Sequence, residues 1–175
     1  MKCRQGCVSN SSSTGFVFCF TGDHMEDLFD KIRKYKSHFS LSYLPWDFED
    51  SSIVYDIDAE KVISSIKANI TDDRIVHIDK AIKEIKAIIK EEERYLKDSD
   101  KDTHYSSTAW LQEYQNKLDV ILQAKQKNIA SVIEIDFGDN HGDIKGGEIG
   151  TAMDYEGRNI QVDENDFIII TEQHR

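Results

Sequence analysis

The 175-residue sequence contains no apolar run close to the length that a bilayer-spanning helix needs. We therefore expect no transmembrane segment and no role at a membrane. The first thirteen residues also lack the apolar core of a secretory signal peptide. Together these absences predict a protein that stays in the cytoplasm of the cell that makes it.

Cysteine is scarce, with an odd number of residues and no second cluster to complete a disulfide framework. Cys19 lies within the apolar run 16–20 and is expected to be a buried small hydrophobe. Cys3 and Cys7 have no partner pair, whereas structural zinc sites commonly use four ligands. The pattern therefore indicates reduced thiols in a reducing compartment.

Basic residues are too few to balance the acidic ones, and the net charge is −11. Most of the excess lies in residues 47–60, with six acids and no base, and in residues 131–175, with eleven acids and three bases. Such a surface repels a phosphate backbone, so direct nucleic-acid binding is not expected. It suits a basic partner, a bound cation or mimicry of nucleic-acid charge. The alternative is that the acidic charge only keeps the protein soluble. The predicted partner contacts are Asp47, Glu49, Asp50, Glu148, Asp154, Glu156, Asp163 and Glu164.

The first third of the chain alternates strand and helix signals. Gly15 opens an apolar strand at 16–20, which is expected to be central in a sheet because both of its faces are apolar. Asp23 and Glu26 have the spacing of a capping box and predict a helix that ends near Lys36. After an irregular stretch with the single proline, a strand is expected at 52–57, followed by a helix that Asp58 caps.

The strongest periodicity follows Thr71. Five isoleucines recur at intervals of 3, 4, 3 and 4, which is the spacing of a coiled-coil seam. After a polar linker, a second stripe repeats at intervals of 3, 4 and 3, so we predict an antiparallel helical hairpin over residues 71–128. The seam has three alternative partners: the hairpin itself, the sheet or a second copy of the chain. The stripes are Ile75, Ile78, Ile82, Ile85 and Ile89, then Leu111, Tyr114, Leu118 and Ile121.

The last third returns to strands, at 131–137, 159–162 and 167–171, with a hairpin turn at 163–166. The order of elements predicts a single α+β domain with a mixed or mainly antiparallel sheet of four to five strands and a helical hairpin. We assign residues 1–14 to a serine-rich leader and residues 15–175 to this domain.

A glycine-rich acidic segment follows the strand at 131–137. Asp136, Asp139, His141 and Asp143 supply three carboxylates and an imidazole, a set that suits a hard divalent cation. The alternative is an acidic surface loop in which Asp and Asn support turns.

The pattern Gly138-Asp139-Asn140-His141-Gly142 within this segment resembles the first metal-binding motif of calcineurin-like metallophosphoesterases. The resemblance implies that Asp139 and His141 would hold a metal that activates water against a phosphate ester. The further Asp, Asn and His motifs of that family are absent from this sequence.

The leader contains the run Ser9, Asn10, Ser11 and Ser12, whose hydroxyl and amide groups could cradle an anion. A flexible polar leader is the alternative. The stretch Arg4-x-Gly6-x-Val8-Ser9-Asn10-Ser11-Ser12-Ser13 resembles a leader of uncharacterised proteins of tailed bacteriophages. The resemblance implies a phage or prophage origin and the cytoplasm of a bacterial host, but no particular activity.

Three functions follow from these features. The leading hypothesis is a phage accessory protein that binds and modulates a host bacterial protein, for example in host defence, through its acidic surface or its hairpin. That partner would be basic or nucleic-acid-binding, and no cofactor would be required. The alternatives are a metal-binding module or hydrolase centred on Asp139 and His141 that uses a divalent cation, and a virion component that self-assembles through the hairpin. The sequence favours a non-enzyme over an enzyme, and we predict no catalytic residue.

Overall fold

The computed structural model describes residues 13–43, 55–98, 104–138, 142–145 and 147–174. Within these ranges the chain forms five α-helices and eight β-strands. The helices are α1 (Met25–Lys34), α2 (Ala59–Asn69), α3 (Ile78–Asp98), α4 (His104–Gln126) and α5 (Gly147–Tyr155). The strands are β1 (Ser13–Phe20), β2 (Leu41–Tyr43), β3 (Tyr55–Ile57), β4 (Val76–His77), β5 (Ser131–Gly138), β6 (Ile144–Lys145), β7 (Val162–Asp163) and β8 (Phe167–His174).

The main sheet has the order β4-β5-β1-β8-β7, and all of these neighbours pair antiparallel. β6 pairs with β5 in parallel, and β2 and β3 form a separate two-stranded ribbon. The prediction of an α+β fold with a mainly antiparallel sheet is thus confirmed. β4 and β6 are two residues long, so they carry no alternation that would reveal them in a sequence.

The sheet lies between two helical layers because the two faces of β1 carry different apolar residues. Phe16, Phe18 and Phe20 point into one core with α1, α2 and α5. Val17 and Cys19 point into a second core, beneath the hairpin of α3 and α4. The prediction that this strand is central is confirmed, since β5 and β8 each pair with it over all eight residues.

The helical hairpin forms as predicted, and its isoleucine seam closes on the sheet. Ile78, Ile82 and Ile85 are buried against residues of β1, β5 and β8. The helix starts later than the predicted boundary at residue 71, because residues 72–74 form a 3-10 turn and Val76 joins the ladder beside Val132. His77, which falls within the range predicted for the hairpin, therefore lies in β4.

The helix caps agree with the predictions in part. The Asp58 carboxylate accepts a hydrogen bond from the backbone N–H of Lys61 at 2.9 Å, as expected for the start of α2. At α1 the cap is shifted by one residue, because it is the Asp27 carboxylate that accepts from the backbone N–H groups of Asp23 and His24, each at 3.0 Å. β1 begins at Ser13, so its first two residues belong to the segment assigned to the leader.

α5 occupies a segment in which no helix is predicted, because two glycines in nine residues argue against a helix. The helix forms because Ala152 and Met153 are fully buried in the core with β1. A Cβ atom on Gly150 would lie 2.7 Å from the backbone oxygen of Gly138, so glycine is needed for this close approach. The strand expected at 159–162 was likewise misplaced, since residues 157–159 form a 3-10 turn and β7 follows it.

We expect Gly150→Ala to lower the free energy of unfolding by about 1–3 kcal/mol, because the added methyl group overpacks the contact between α5 and β5. Chemical denaturation of both proteins measures the change. Glu148→Ala, on the exposed side of the same helix, is the control and should change stability by less than about 0.5 kcal/mol. Equal effects of the two substitutions would contradict the steric explanation.

Candidate functional site

The structure separates the predicted acidic contacts into several groups. Glu148, Glu156 and Glu164 are exposed, and Asp163 is exposed while bound to Lys127 at 2.5 Å. Asp154 was predicted wrongly as a surface contact. It is fully buried in the core beside β1. The Thr14 hydroxyl donates a hydrogen bond to its carboxylate at 2.9 Å, which satisfies the buried polar group. The other predicted contacts, Asp47, Glu49 and Asp50, lie outside the described residues.

A shallow groove of about 560 Å³ between α2 and α5 brings together acids from the two predicted acidic stretches. Asp58 and Glu60 come from the first stretch and Glu148 from the second, although almost ninety positions separate them in the sequence. We call this feature the α2–α5 groove. Its lining consists of Asp58, Glu60, Lys61, Ser64, Ser65, Glu148 and Ile149.

The local structure explains why the groove is acidic. Asp58 and Glu60 are at the N-terminus of α2, and Glu148 is in the first turn of α5, where the helix dipole favours negative side chains. Lys61 is the single base of the lining, and its ammonium group donates to the backbone oxygen of Asp56 at 2.5 Å. Arg33 also meets Glu60, at 2.9 Å, in an exposed ion pair. Two bases thus accompany the three acids, and the groove keeps a negative net charge.

Two of the four predicted metal ligands lie at the outer edge of β5. Asp143 binds the Arg74 guanidinium through both carboxylate oxygens, at 2.9 and 3.1 Å, and accepts from the backbone N–H of Asp136 at 3.1 Å. The bond to Arg74 holds the pKa of Asp143 below its ordinary value, against the opposing effect of burial. Among the described residues, no group of three or more potential ligands could hold a metal ion. Asp139 and His141 lie outside these residues, so the metal site stays a prediction.

The pair of Arg74 and Asp143 serves a structural role at this edge. β4 pairs with β5 only at residues 131–132, and β6 pairs only at residues 137–138. Between these two short strands, Arg74 donates to the backbone oxygen of Glu134 while Asp143 accepts from Asp136. The ion pair therefore satisfies backbone groups that a longer edge strand would otherwise satisfy. The predicted anion site, Ser9, Asn10, Ser11 and Ser12, lies outside the described residues.

A buried charge cluster beneath the hairpin was missed by the sequence analysis. The Lys117 ammonium, on α4, lies 2.9 Å from a carboxylate oxygen of Glu134 and 2.8 Å from one of Glu172. The side chains of Lys117 and Glu172 are only 8% and 5% exposed, whereas Glu134 is 45% exposed. Lys117 also lies 5.7 Å from the ring centre of Tyr114. The cluster joins α4 to β5 and β8 across the sheet.

The pKa values in the cluster reflect burial and attraction together. Burial raises the pKa of Glu172 to about 6 from its ordinary value of 4.5, although attraction to Lys117 opposes the rise. Burial alone would lower the pKa of Lys117, but attraction to Glu172 and Glu134 outweighs it, so the net shift is upward. At neutral pH Lys117 and Glu172 therefore carry opposite charges between the hairpin and the sheet.

One sequence signal could have revealed Lys117. It lies three residues after Tyr114 and four before Ile121, so it shares the apolar face of α4 with them. Its carboxylate partners could not have been found in this way, since they come from two separate strands. A pocket of about 330 Å³ opens beside the cluster, between the hairpin and the sheet, with Tyr114, Ile85 and Ile88 among its walls.

Comparisons of the chain with protein-family models, with curated proteins and with solved structures found no match. In the part of the chain that the structure describes, none of the helices combines the length and the hydropathy that crossing a bilayer requires. The functional conclusions below therefore depend on the geometry of the molecule and on the sequence patterns.

We expect Lys117→Met to lower the free energy of unfolding by about 3–5 kcal/mol at pH 7, because Glu172 would remain buried without its cation. Denaturant titration measures the loss. Lys125→Met is the matched control, since Lys125 pairs with Asp79 at the exposed surface and should cost at most about 1 kcal/mol. A loss for Lys117→Met no larger than the control would show that the cluster does not hold α4 on the sheet.

Glu172 should also make stability depend on pH. Because its folded-state pKa is raised, its contribution to stability is full below about pH 4.5 and is lost as pH rises through about 6. Glu172→Gln cannot titrate. The difference in unfolding free energy, native chain minus variant, should therefore fall by on the order of 2 kcal/mol over that interval. A constant difference across the interval would contradict the raised pKa.

Proposed function

We propose that the chain is a binding protein that recognises a basic partner through the α2–α5 groove. The observation that carries this proposal is the convergence of Asp58, Glu60 and Glu148 in one groove. Acids that accumulate only for solubility have no need to converge, whereas a contact surface for a basic protein does. Exposed charges of one sign chiefly increase the association rate and select the partner.

The partner that fits best is a nucleic-acid-binding protein of a bacterial host. Surfaces that bind nucleic acid carry clustered lysine and arginine, and an acidic groove is complementary to them. The leader that resembles those of tailed-bacteriophage proteins supports an origin in a phage, which would use such contacts to modulate the host, including its defences. The protein would act in the host cytoplasm without a cofactor. The α2–α5 groove is the proposed binding site on the acidic surface.

The experiment that tests the proposal is capture from bacterial lysate. The tagged full-length chain is immobilised and exposed to lysate at low and high salt, and retained proteins are identified by mass spectrometry. We expect at least one basic host protein that is released at high salt, since the screening length of exposed charges falls to about 3 Å at about 1 M salt. The groove variant is the double substitution Glu60→Lys and Glu148→Lys, which leaves the Asp58 cap of α2 intact.

The matched control is Glu84→Lys with Asp119→Lys, two exposed positions on the hairpin that change the net charge by the same amount. Capture should be lost in the groove variant and retained in the control. Equal loss in both variants would indicate attraction by net charge alone. Equal retention in both would place the contact elsewhere, and either result would refute the groove as the binding site.

A further inference from the structure

The hairpin extends beyond the part of the molecule that supports it. The buried side chains of α3 end at Ile85, and those of α4 begin at Lys117. We define the distal hairpin as residues 88–98 of α3 and 104–114 of α4. Among its described side chains none is buried, so the sheet covers only the half of the hairpin nearest residues 78 and 126.

Large apolar side chains are nevertheless exposed in the distal hairpin. Ile88 is 38% exposed, Tyr95 53% and Trp110 45%. These three are all the exposed large hydrophobic residues among the described part of the chain. Their concentration in one segment distinguishes them from the isolated surface hydrophobics of ordinary monomers and indicates an interaction surface.

The exposed residues share the side of the hairpin that faces the sheet. Ile88 and Tyr114 line the pocket beside the buried cluster, and Trp110 stacks on Tyr114 with ring centres 6.5 Å apart. Tyr95 lies seven residues, or two helical turns, beyond Ile88 and therefore on the same face of α3. The apolar side of the hairpin thus continues from the pocket outward, past the end of its contact with the sheet.

The spacing on this side is that of helix–helix packing. On α3, Ile88 and Tyr95 are seven residues apart with Glu92 between them, and on α4, Trp110 and Tyr114 are four residues apart, so each pair lies on one face of its helix. Side chains at such intervals interlock with those of a facing helix. The occupant that fits is consequently a pair of helices, which would complete a four-helix arrangement.

The charges of the distal hairpin indicate which helices can pack on it. Residues 88–98 carry three bases and four acids, so this helix offers both signs, and residues 104–114 carry a single acid, Glu113. A strongly basic or strongly acidic partner would find no matching field on such a surface. A second copy, turned by a two-fold axis, presents the same mixed and uncharged helices, so bases of one copy can meet acids of the other.

We propose that the distal hairpin is a dimerisation surface, on which a second copy of this chain packs the same helices in a four-helix arrangement. Each helix of the segment is about 16 Å long, and two side by side are about 20 Å wide. A footprint of about 300 Å² on each partner is well below the about 800 Å² of a standard specific interface, so the dimer should be weak and transient and dissociate in the micromolar range.

Sedimentation velocity of the full chain, from about 5 to about 200 µM, brackets such a dissociation constant. We expect the weight-average mass to rise from that of the monomer towards that of the dimer. The double substitution Tyr95→Gln with Trp110→Gln keeps the charge unchanged and removes two aromatic anchors. It should raise the dissociation constant at least about tenfold, as loss of interface aromatics commonly does.

Ala87→Gln is the control, because position 87 is exposed and lies on the opposite side of α3. It should dimerise like the native chain, and circular dichroism should show the same helix content in all three proteins. A native chain that stays monomeric at the highest concentration would overturn the proposal. A dimer that the double variant forms equally well would also overturn it, since the interface would then lie elsewhere.

Discussion

The structure depends on one strand. β1 is paired along its whole length on both sides, and its side chains alternate between the two cores that the sheet separates. The phenylalanines at 16, 18 and 20 hold the layer of α1, α2 and α5, while Val17 and Cys19 hold the hairpin. A shift of register by one residue would exchange these two sets and place large rings beneath a hairpin built for smaller residues. The position of each candidate surface therefore follows from the register of this strand.

The strands and helices that were predicted correctly are those with a strong periodic pattern of apolar residues. β1, β8 and the two hairpin helices have strong apolar patterns, and the structure contains all of them. α5 could not be predicted, because its glycines oppose a helix and only tertiary contact explains Gly150. Asp154 was assigned to the surface because charge usually is exposed, whereas a hydroxyl from β1 satisfies it inside the core. The cluster at Lys117 unites one helix and two strands, and the α2–α5 groove unites two distant helices. The spacing of residues along a chain does not show which distant residues come into contact.

The two proposed surfaces lie on opposite sides of the sheet. The α2–α5 groove belongs to one helical layer, and the distal hairpin belongs to the other. Occupation of one surface leaves the other accessible, so a dimer would present two acidic grooves at once. Two linked contacts to one partner assembly strengthen attachment without any new interaction, provided that the geometry allows both. The cluster around Lys117 fixes the hairpin to the sheet and so determines the direction in which the second copy would extend.

The pairing of β1 also has a consequence for synthesis on the ribosome. The strand leaves the ribosome early, but β5 begins more than one hundred residues later and β8 later still. At about 5–20 residues per second, the phenylalanine-rich strand waits roughly 5–20 s before its first partner exists. During that interval α3 and α4 can form through local contacts, whereas the sheet cannot. The nascent chain is then a helical hairpin tethered to an unpaired apolar strand, the state in which chaperone binding or aggregation would decide the yield.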